Sequence, residues 1–85
     1  GSLFFGAVAK IDPIVADVER SPAGVNLMLD ATQLISLDTT GLDALEQLHK
    51  AVEKRGGHMG IVGLNTQPRS LIERSGFHQR LHTCQ

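Results

Sequence analysis

The side chains with the clearest chemical capacity lie in the segment Asp38-Thr39-Thr40-Gly41, which we call the DTTG motif. An alternating apolar stretch precedes it and a stretch with helical spacing follows, so the motif falls where a helix begins. Its carboxylate and two hydroxyls can each accept a hydrogen bond from the free N–H groups of a first helical turn, and Thr40 with Asp43 forms an imperfect capping box. The motif therefore places a hydroxyl at the positive end of a helix dipole.

Two other groups of polar residues have spacings that could suit catalysis or metal binding. Asp30 and Asp38 could form an acid/base pair, but no nucleophile, histidine or metal triad accompanies them, so cap roles are favoured. His78, His82 and Cys84 have near metal-ligand spacing, which we interpret as a coincidence in a solvated C-terminal tail. We therefore predict no catalytic residue, no metal site and no cofactor.

A loose echo of a phosphate-binding loop occurs at Gly60-Ile61-Val62-Gly63 and the following residues 64–66. It lacks the Gly-Lys-(Ser or Thr) sequence that would hold a triphosphate. The sequence therefore gives no support for nucleotide binding, and we do not expect an enzyme.

Composition and charge disfavour several classes of protein. The 85 residues carry eight basic and nine acidic side chains, for a formal charge of −1 and a pI near 6.4, so no cationic surface for nucleic acid or anionic lipid is expected. The lone cysteine, Cys84, cannot form an internal disulfide and suits a reducing compartment. No apolar run reaches the roughly 18 to 20 residues needed to span a bilayer, and no signal-peptide pattern opens the chain.

Hydrophobic spacing predicts a strand and an amphipathic helix on either side of the DTTG motif. The strand covers Val25–Leu29, where apolar residues alternate, and it ends at the carboxylate of Asp30. The helix has one face that we expect to lie against the sheet and one that faces water. The inward residues are Leu42, Leu45, Leu48 and Val52, and the outward residues are Glu46, Lys50 and Glu53. Residues 55–57, Arg-Gly-Gly, predict the end of this helix.

The N-terminal part of the chain predicts a strand, a helix and a turn. Residues 3–5, Leu-Phe-Phe, are typical of a short buried strand. Residues 7–20 predict a helix, with its apolar positions at Val8, Ile11, Val15 and Val18. Pro13 means that this helix starts no earlier than Asp12 or kinks there, and Asp12 as N-cap with Pro13 at the first helical position is the cleaner alternative. A turn is predicted at residues 21–24.

Two short segments connect the motif to the rest of the chain. We predict that residues 30–36 form a crossing turn in which Leu34 and Ile35 pack, before Leu37 leads into the DTTG motif. After the motif helix, His58–Leu64 predicts a short buried strand.

The last predicted element is a helix over Thr66–Ser75, with Leu71 and Ile72 buried and Gly76 in the C′ position. Strands and helices thus alternate along the chain with short links. That order predicts a single α/β domain over residues 1–85, with a mainly parallel sheet.

The central segment resembles a known family. A strand, Leu-Asp-Ala-Thr at residues 29–32, a short apolar turn and the DTTG motif before a helix are similar to the STAS domain, which bacterial anti-sigma-factor antagonists share with the cytoplasmic tails of SulP-type anion transporters. The family motif is Asp-Ser-(Ser or Thr)-Gly, and the hydroxyl before the glycine is the phosphorylation site in the antagonists. The resemblance therefore implies that Thr40 is a phospho-acceptor or regulatory residue. It also implies helices mostly on one face of the sheet.

Two further segments resemble the transporter branch of this family. Ser2–Gly6 is similar to the "(small)-Leu-Phe-Phe-(small)" start of SulP tails, and Gly63–Pro68 resembles their strand-to-helix turn. The resemblance implies a regulatory domain at the cytoplasmic face of the plasma membrane, in a transporter for sulfate, bicarbonate or a similar anion. Its implied partners are the transmembrane portion of the same transporter and a cytosolic protein regulator.

We expect the chain to be a piece of a longer protein, because it begins inside a predicted strand and stops after Gln85 without a closing element. The resemblance implies another strand before Leu3, and a further strand and helix after Leu81. The alternative is a free-standing anti-sigma-factor antagonist that is switched by phosphorylation at Thr40. The full-length reading frame would separate the two, since only a transporter has some ten or more apolar spans upstream.

Overall fold

A computed structural model describes residues 18–20, 24 and 26–85 of the chain. Residues 18–20 are helical, and Val18 is buried, as predicted for the end of the helix over residues 7–20. The rest of that helix, the predicted strand at residues 3–5 and most of the turn at residues 21–24 lie outside the described residues. The elements that follow are β1 (Asn26–Asp30), α1 (Thr39–Lys54), β2 (His58–Val62), α2 (Thr66–Ser75), a 3₁₀ helix (Phe77–Arg80) and β3 (Thr83–Cys84).

Within the described residues, the strands form a three-stranded parallel sheet in the order β1-β2-β3. The β1 and β2 pairing runs from Asn26 opposite His58 to Asp30 opposite Val62. This confirms the predicted α/β class with a parallel sheet, and both strands lie within one residue or two of their predicted bounds.

The C-terminal residues are not the free solvated tail that we predicted. Thr83 and Cys84 form β3, which pairs in parallel with β2 opposite Gly60 and Ile61. The backbone N–H of Gln85 also donates to the carbonyl of Ile61 at 2.9 Å. A strand of two residues is too short to produce a hydrophobic period, which is why the pattern of side chains did not indicate it.

One face of the sheet holds the core. Leu29, Met59 and Ile61 are each 1% exposed and belong to one apolar cluster with the inner residues of α1. Met28 lies between Leu27 and Leu29 on β1, so its side chain is on the opposite face, where it is 53% exposed. The described helices therefore pack on one face, in agreement with the prediction.

The central helix lies as its pattern predicted. All four inward positions are buried, and the outward positions Lys50 and Glu53 are exposed. Glu46 is only half-exposed, because its carboxylate accepts a hydrogen bond from the Arg80 guanidinium at 2.7 Å.

In α2, Ile72 is fully buried and Leu71 is half-buried, and Gly76 ends the helix in the left-handed conformation with φ of 80°.

A buried histidine that the pattern did not single out joins α1 to the 3₁₀ helix. His49 is 3% exposed, and its Nε2 lies 2.9 Å from the carbonyl oxygen of Arg80. Its Nδ1 lies 3.4 Å from a carboxylate oxygen of Glu53, and its ring meets the Phe77 ring edge-on at 5.6 Å. The C-terminal segment is therefore fixed to the central helix by polar and aromatic contacts as well as by apolar burial.

Candidate functional site

The DTTG motif begins α1, and its aspartate is the cap. Asp38 has extended backbone angles, φ −104° and ψ 178°, and its Oδ1 accepts from the N–H of Gly41 at 2.7 Å. The helix starts at Thr39, so Thr40 is its second residue and already has a helical backbone. The capping box predicted for Thr40 and Asp43 is therefore wrong, because an N-cap residue needs a non-helical backbone.

The four motif residues divide into two structural and two outward-facing positions. Asp38 caps the helix, and Gly41 is buried where a Cβ atom would lie 2.7 Å from the Leu37 side chain. Thr39 and Thr40 are both exposed on the first turn. The motif therefore holds the helix start in place and presents two hydroxyls to solvent.

The segment before the motif starts with a carboxylate turn at Asp30, as predicted. The backbone N–H of Thr32 donates to Asp30 Oδ1 at 3.0 Å, and this bond, followed by one from the Thr32 hydroxyl, holds the pKa of Asp30 below its usual value. Asp30 and Asp38 thus each satisfy a local turn, and their hydrogen bonds do not join them as an acid/base pair.

Two side-chain amides from the start of α2 hold the segment that leads into the motif. Asn65 donates through Nδ2 to the carbonyl oxygens of Thr32, at 3.1 Å, and Leu34, at 2.7 Å. Gln67 accepts from the N–H of Leu37 at 2.6 Å and donates to its carbonyl at 2.9 Å, as a neighbouring strand would. These contacts were not predicted, although Asn65 and Gln67 lie in the strand-to-helix turn that resembled the transporter branch.

The turn over residues 31–37 packs differently from the prediction for one side chain. Leu34 and Leu37 are buried at 3% and 5% exposure, but Ile35 is 74% exposed. A hydrogen bond from the N–H of Leu34 to the carbonyl of Ala31, at 3.0 Å, tightens the segment. Residues 34 and 37 then point inward and residue 35 points out, so the prediction that Ile35 packs in the turn is wrong.

The C-terminal histidines and cysteine do not act as one cluster. The rings of His82 and His58 stack with centroids 4.9 Å apart. Cys84 is half-buried in β3, and burial raises the pKa of its thiol. His78 Nδ1 is buried and makes no hydrogen bond with the residues that the structure describes. Among the described residues, no group of three or more histidine, cysteine or acidic side chains is placed to hold a metal ion.

The residues of the P-loop-like echo serve packing. Gly63 has φ of 76°, and a Cβ atom there would lie 2.4 Å from the methyl carbon of Thr32. Gly60 lies under the side chains of Met28 and Thr83, which a Cβ atom would approach at 3.0 Å. Both glycines therefore permit close contacts within the sheet and its loops.

Comparison with known proteins identifies the family. The whole chain, residues 1–85, matches the STAS domain. The chain is also 27% identical over 81 residues to a Bacillus subtilis (strain 168) protein named "Putative sulfate transporter YvdB", and the alignment covers 93% of this chain and 15% of that relative. Within the described part of the chain, no helix has both the length and the apolar character needed to cross a membrane. With the parallel α/β sheet and the DTTG motif at the start of its central helix, the chain belongs to the STAS domain family.

Proposed function

We propose that this chain is a regulatory and interaction domain of a SulP-type transporter for sulfate or a similar anion, at the cytoplasmic face of the membrane. The family match and the likeness to a relative named as a sulfate transporter support this proposal. The chain spans about 15% of that relative, and our proposal leaves transport itself to the other parts of such a protein. The partners are then the transmembrane portion of the same transporter and a cytosolic protein regulator.

The observation that carries the proposal is the position of the outward residues of the DTTG motif. Thr39 and Thr40 are exposed on the first turn of α1, and the capped Asp38 and buried Gly41 fix that turn. A rigid polar surface of this kind suits contact with a neighbouring protein better than catalysis, which needs a nucleophile with its base or a metal set. Regulation through protein contacts is the function that this arrangement supports best.

The test is Thr40→Glu in the full-length transporter, with Gln47→Glu as the matched control. Both positions are exposed on α1, so each variant adds one negative charge to the helix surface. At position 40 the charge lies beside Asp38 at the helix start and is locally tolerable. We expect Thr40→Glu to change anion uptake at matched membrane abundance and the control to leave it unchanged. Equal uptake in Thr40→Glu and the parent would remove the regulatory role of the motif.

A second candidate, a free-standing anti-sigma-factor antagonist switched by phosphorylation, is favoured by the exposure of the Thr40 hydroxyl. A phosphate there would add about −1.5 to −2 charges near Asp38 and Asp43 and would act mainly on a docked partner. The full-length reading frame distinguishes the two, and mass spectrometry of protein isolated from its own cells tests the phosphorylation that this candidate needs. Stoichiometric phosphothreonine at position 40 would support this candidate, and unmodified Thr40 in growing and starved cells would remove it.

We also propose that the domain has no catalytic turnover. Its two turn-forming aspartates are used in local hydrogen bonds. Pure protein should therefore hydrolyse neither ATP nor GTP, and turnover that is lost in Asp38→Ala would contradict this.

A further inference from the structure

Ile35 is an exposed apolar residue that has no part in the proposed function. It is 74% exposed, more than Met28, which is the other large apolar side chain exposed in the described part of the chain. Single exposed apolar residues are ordinary on protein surfaces. Ile35 differs because of the segment that carries it, residues 31–37, which we call the Ile35 loop.

The backbone of the Ile35 loop is held on both sides of the exposed side chain. Asn65 binds the carbonyl of Leu34, and Gln67 binds both backbone polar groups of Leu37. The side chains of Leu34 and Leu37 are themselves buried in the core. A fixed loop loses little conformational entropy when it binds, so its exposed apolar side chain can serve as a binding anchor.

Charge around the Ile35 loop indicates the chemistry of a partner. Asp30 precedes the loop, Asp38 follows it, and Asp43 is exposed on α1. Residues 26–49 contain no lysine or arginine. The charged residues that flank the loop along the chain are thus carboxylates, which favour a basic protein surface over anionic lipid, although α2 also carries Arg69.

We propose that Ile35 anchors a docking surface for the cytoplasmic loops of the transporter's membrane portion, through an apolar pocket bordered by lysine or arginine. Short cytoplasmic loops of membrane proteins carry an excess of these basic residues, which matches the acidic surroundings of Ile35. This proposal rests on the proposed function, because that function supplies the membrane portion. It adds the surface that makes the contact and the chemistry of its counterpart.

The first experiment places a photo-crosslinking phenylalanine derivative at position 35 of the full-length transporter, and at the exposed position 47 as the control. We expect crosslinked peptides from basic cytoplasmic loops to form from position 35 and not from position 47. Their yield should fall as salt is raised, because exposed charge attraction is screened. Crosslinks to lipid, to a separate cytosolic protein, or equally from both positions would overturn the proposal.

The second experiment tests the anchor itself with the crosslinker at the adjacent exposed Ser36 and Ile35→Ser or Ile35→Val beside it. Loss of one buried anchor should lower the crosslink yield by about tenfold in Ile35→Ser, and Ile35→Val should retain most of it. Equal yields in the parent and Ile35→Ser would overturn the anchor. If Thr40→Glu changes uptake while position 35 gives no loop crosslinks, this inference fails and the proposed function stands. If position 35 gives loop crosslinks while Thr40→Glu leaves uptake unchanged, the docking surface stands and the regulatory role of the motif fails.

Discussion

Within the DTTG motif, neighbouring residues have separate tasks. Asp38 provides the hydrogen bond that caps α1, and Gly41 lets the helix lie close to Leu37. Thr40, which lies two residues past the cap, is exposed. A variant at position 38 therefore tests helix stability, and a variant at position 40 tests the outward surface.

We expect Asp38→Ala to lower the free energy of unfolding by about 0.5–2 kcal/mol, because the N–H of Gly41 loses its acceptor. Asp38→Asn keeps an acceptor oxygen and should retain most of the stability. Thr40→Ala should change the free energy of unfolding by less than about 0.5 kcal/mol, as is usual for surface positions. Urea unfolding of the three variants measures the differences, and a loss in Thr40→Ala as large as in Asp38→Ala would contradict the assignment of the cap.

Gly63 offers a second comparison at the residue scale, with Gly56 as its control. Both have φ near 77°, so alanine at either position carries the left-handed strain of roughly 1–2 kcal/mol. Of the two, only Gly63 is crowded, by Thr32, whereas a Cβ atom at Gly56 would meet no atom of the described residues within 4 Å. Gly63→Ala should therefore unfold at a lower urea concentration than Gly56→Ala. Equal midpoints would mean that the Ile35 loop moves aside at little cost.

At the scale of elements, the inner face of α1 is the main apolar support of the sheet. Leu45→Ala should lower the free energy of unfolding by about 2–5 kcal/mol, because Leu45 is 1% exposed and its loss leaves a cavity. Lys50→Ala is the control on the outer face. It is preferred to Glu46→Ala, because Glu46 accepts a hydrogen bond from Arg80. Urea melts in which the two variants shift alike would mean that the helix is oriented differently.

Periodicity was sufficient to predict the long elements and insufficient for the short ones. The 16 residues of α1 contain enough turns for a clear apolar face, and its position was predicted within a residue or two. The two residues of β3 have no measurable period, and their pairing depends on an edge that β2 offers. Ile35 was predicted to pack because it is apolar, but burial in a tight turn depends on backbone angles that hydrophobicity does not report.

The candidate site shows the same limit. Asp38 and Thr40 could be placed at a helix start from the sequence, because the apolar pattern of that helix follows them directly. Asn65 and Gln67 bind backbone groups 30 to 33 residues earlier in the chain, and such distant contacts leave no local pattern. His49 was missed for a related reason, because its partner is the carbonyl of Arg80, 31 residues away.

For the molecule as a whole, the described strands all point the same way, so the loops after β1 and β2 meet at one end of the sheet. Asp30, Asp38 and the two outward threonines lie at that end. The C-terminal end of α1, with Lys54 and Arg55, lies at the other. The two carboxylates at the first end can attract a basic neighbour, although the formal charge of the chain is only −1.

The two amides of α2 also determine how this end of the molecule can come apart. The amide hydrogen of Leu37 is protected by the side chain of Gln67 and not by a helix or a strand ladder. A transient opening of the first turn of α2 would therefore let the Leu37 amide exchange with solvent deuterium, while the interior of α1 stays protected and the Ala31 amide stays bonded to the carbonyl of Val62. Loosening of that turn, by a bound partner for example, should therefore free the backbone on the C-terminal side of Ile35 and weaken its rigid presentation.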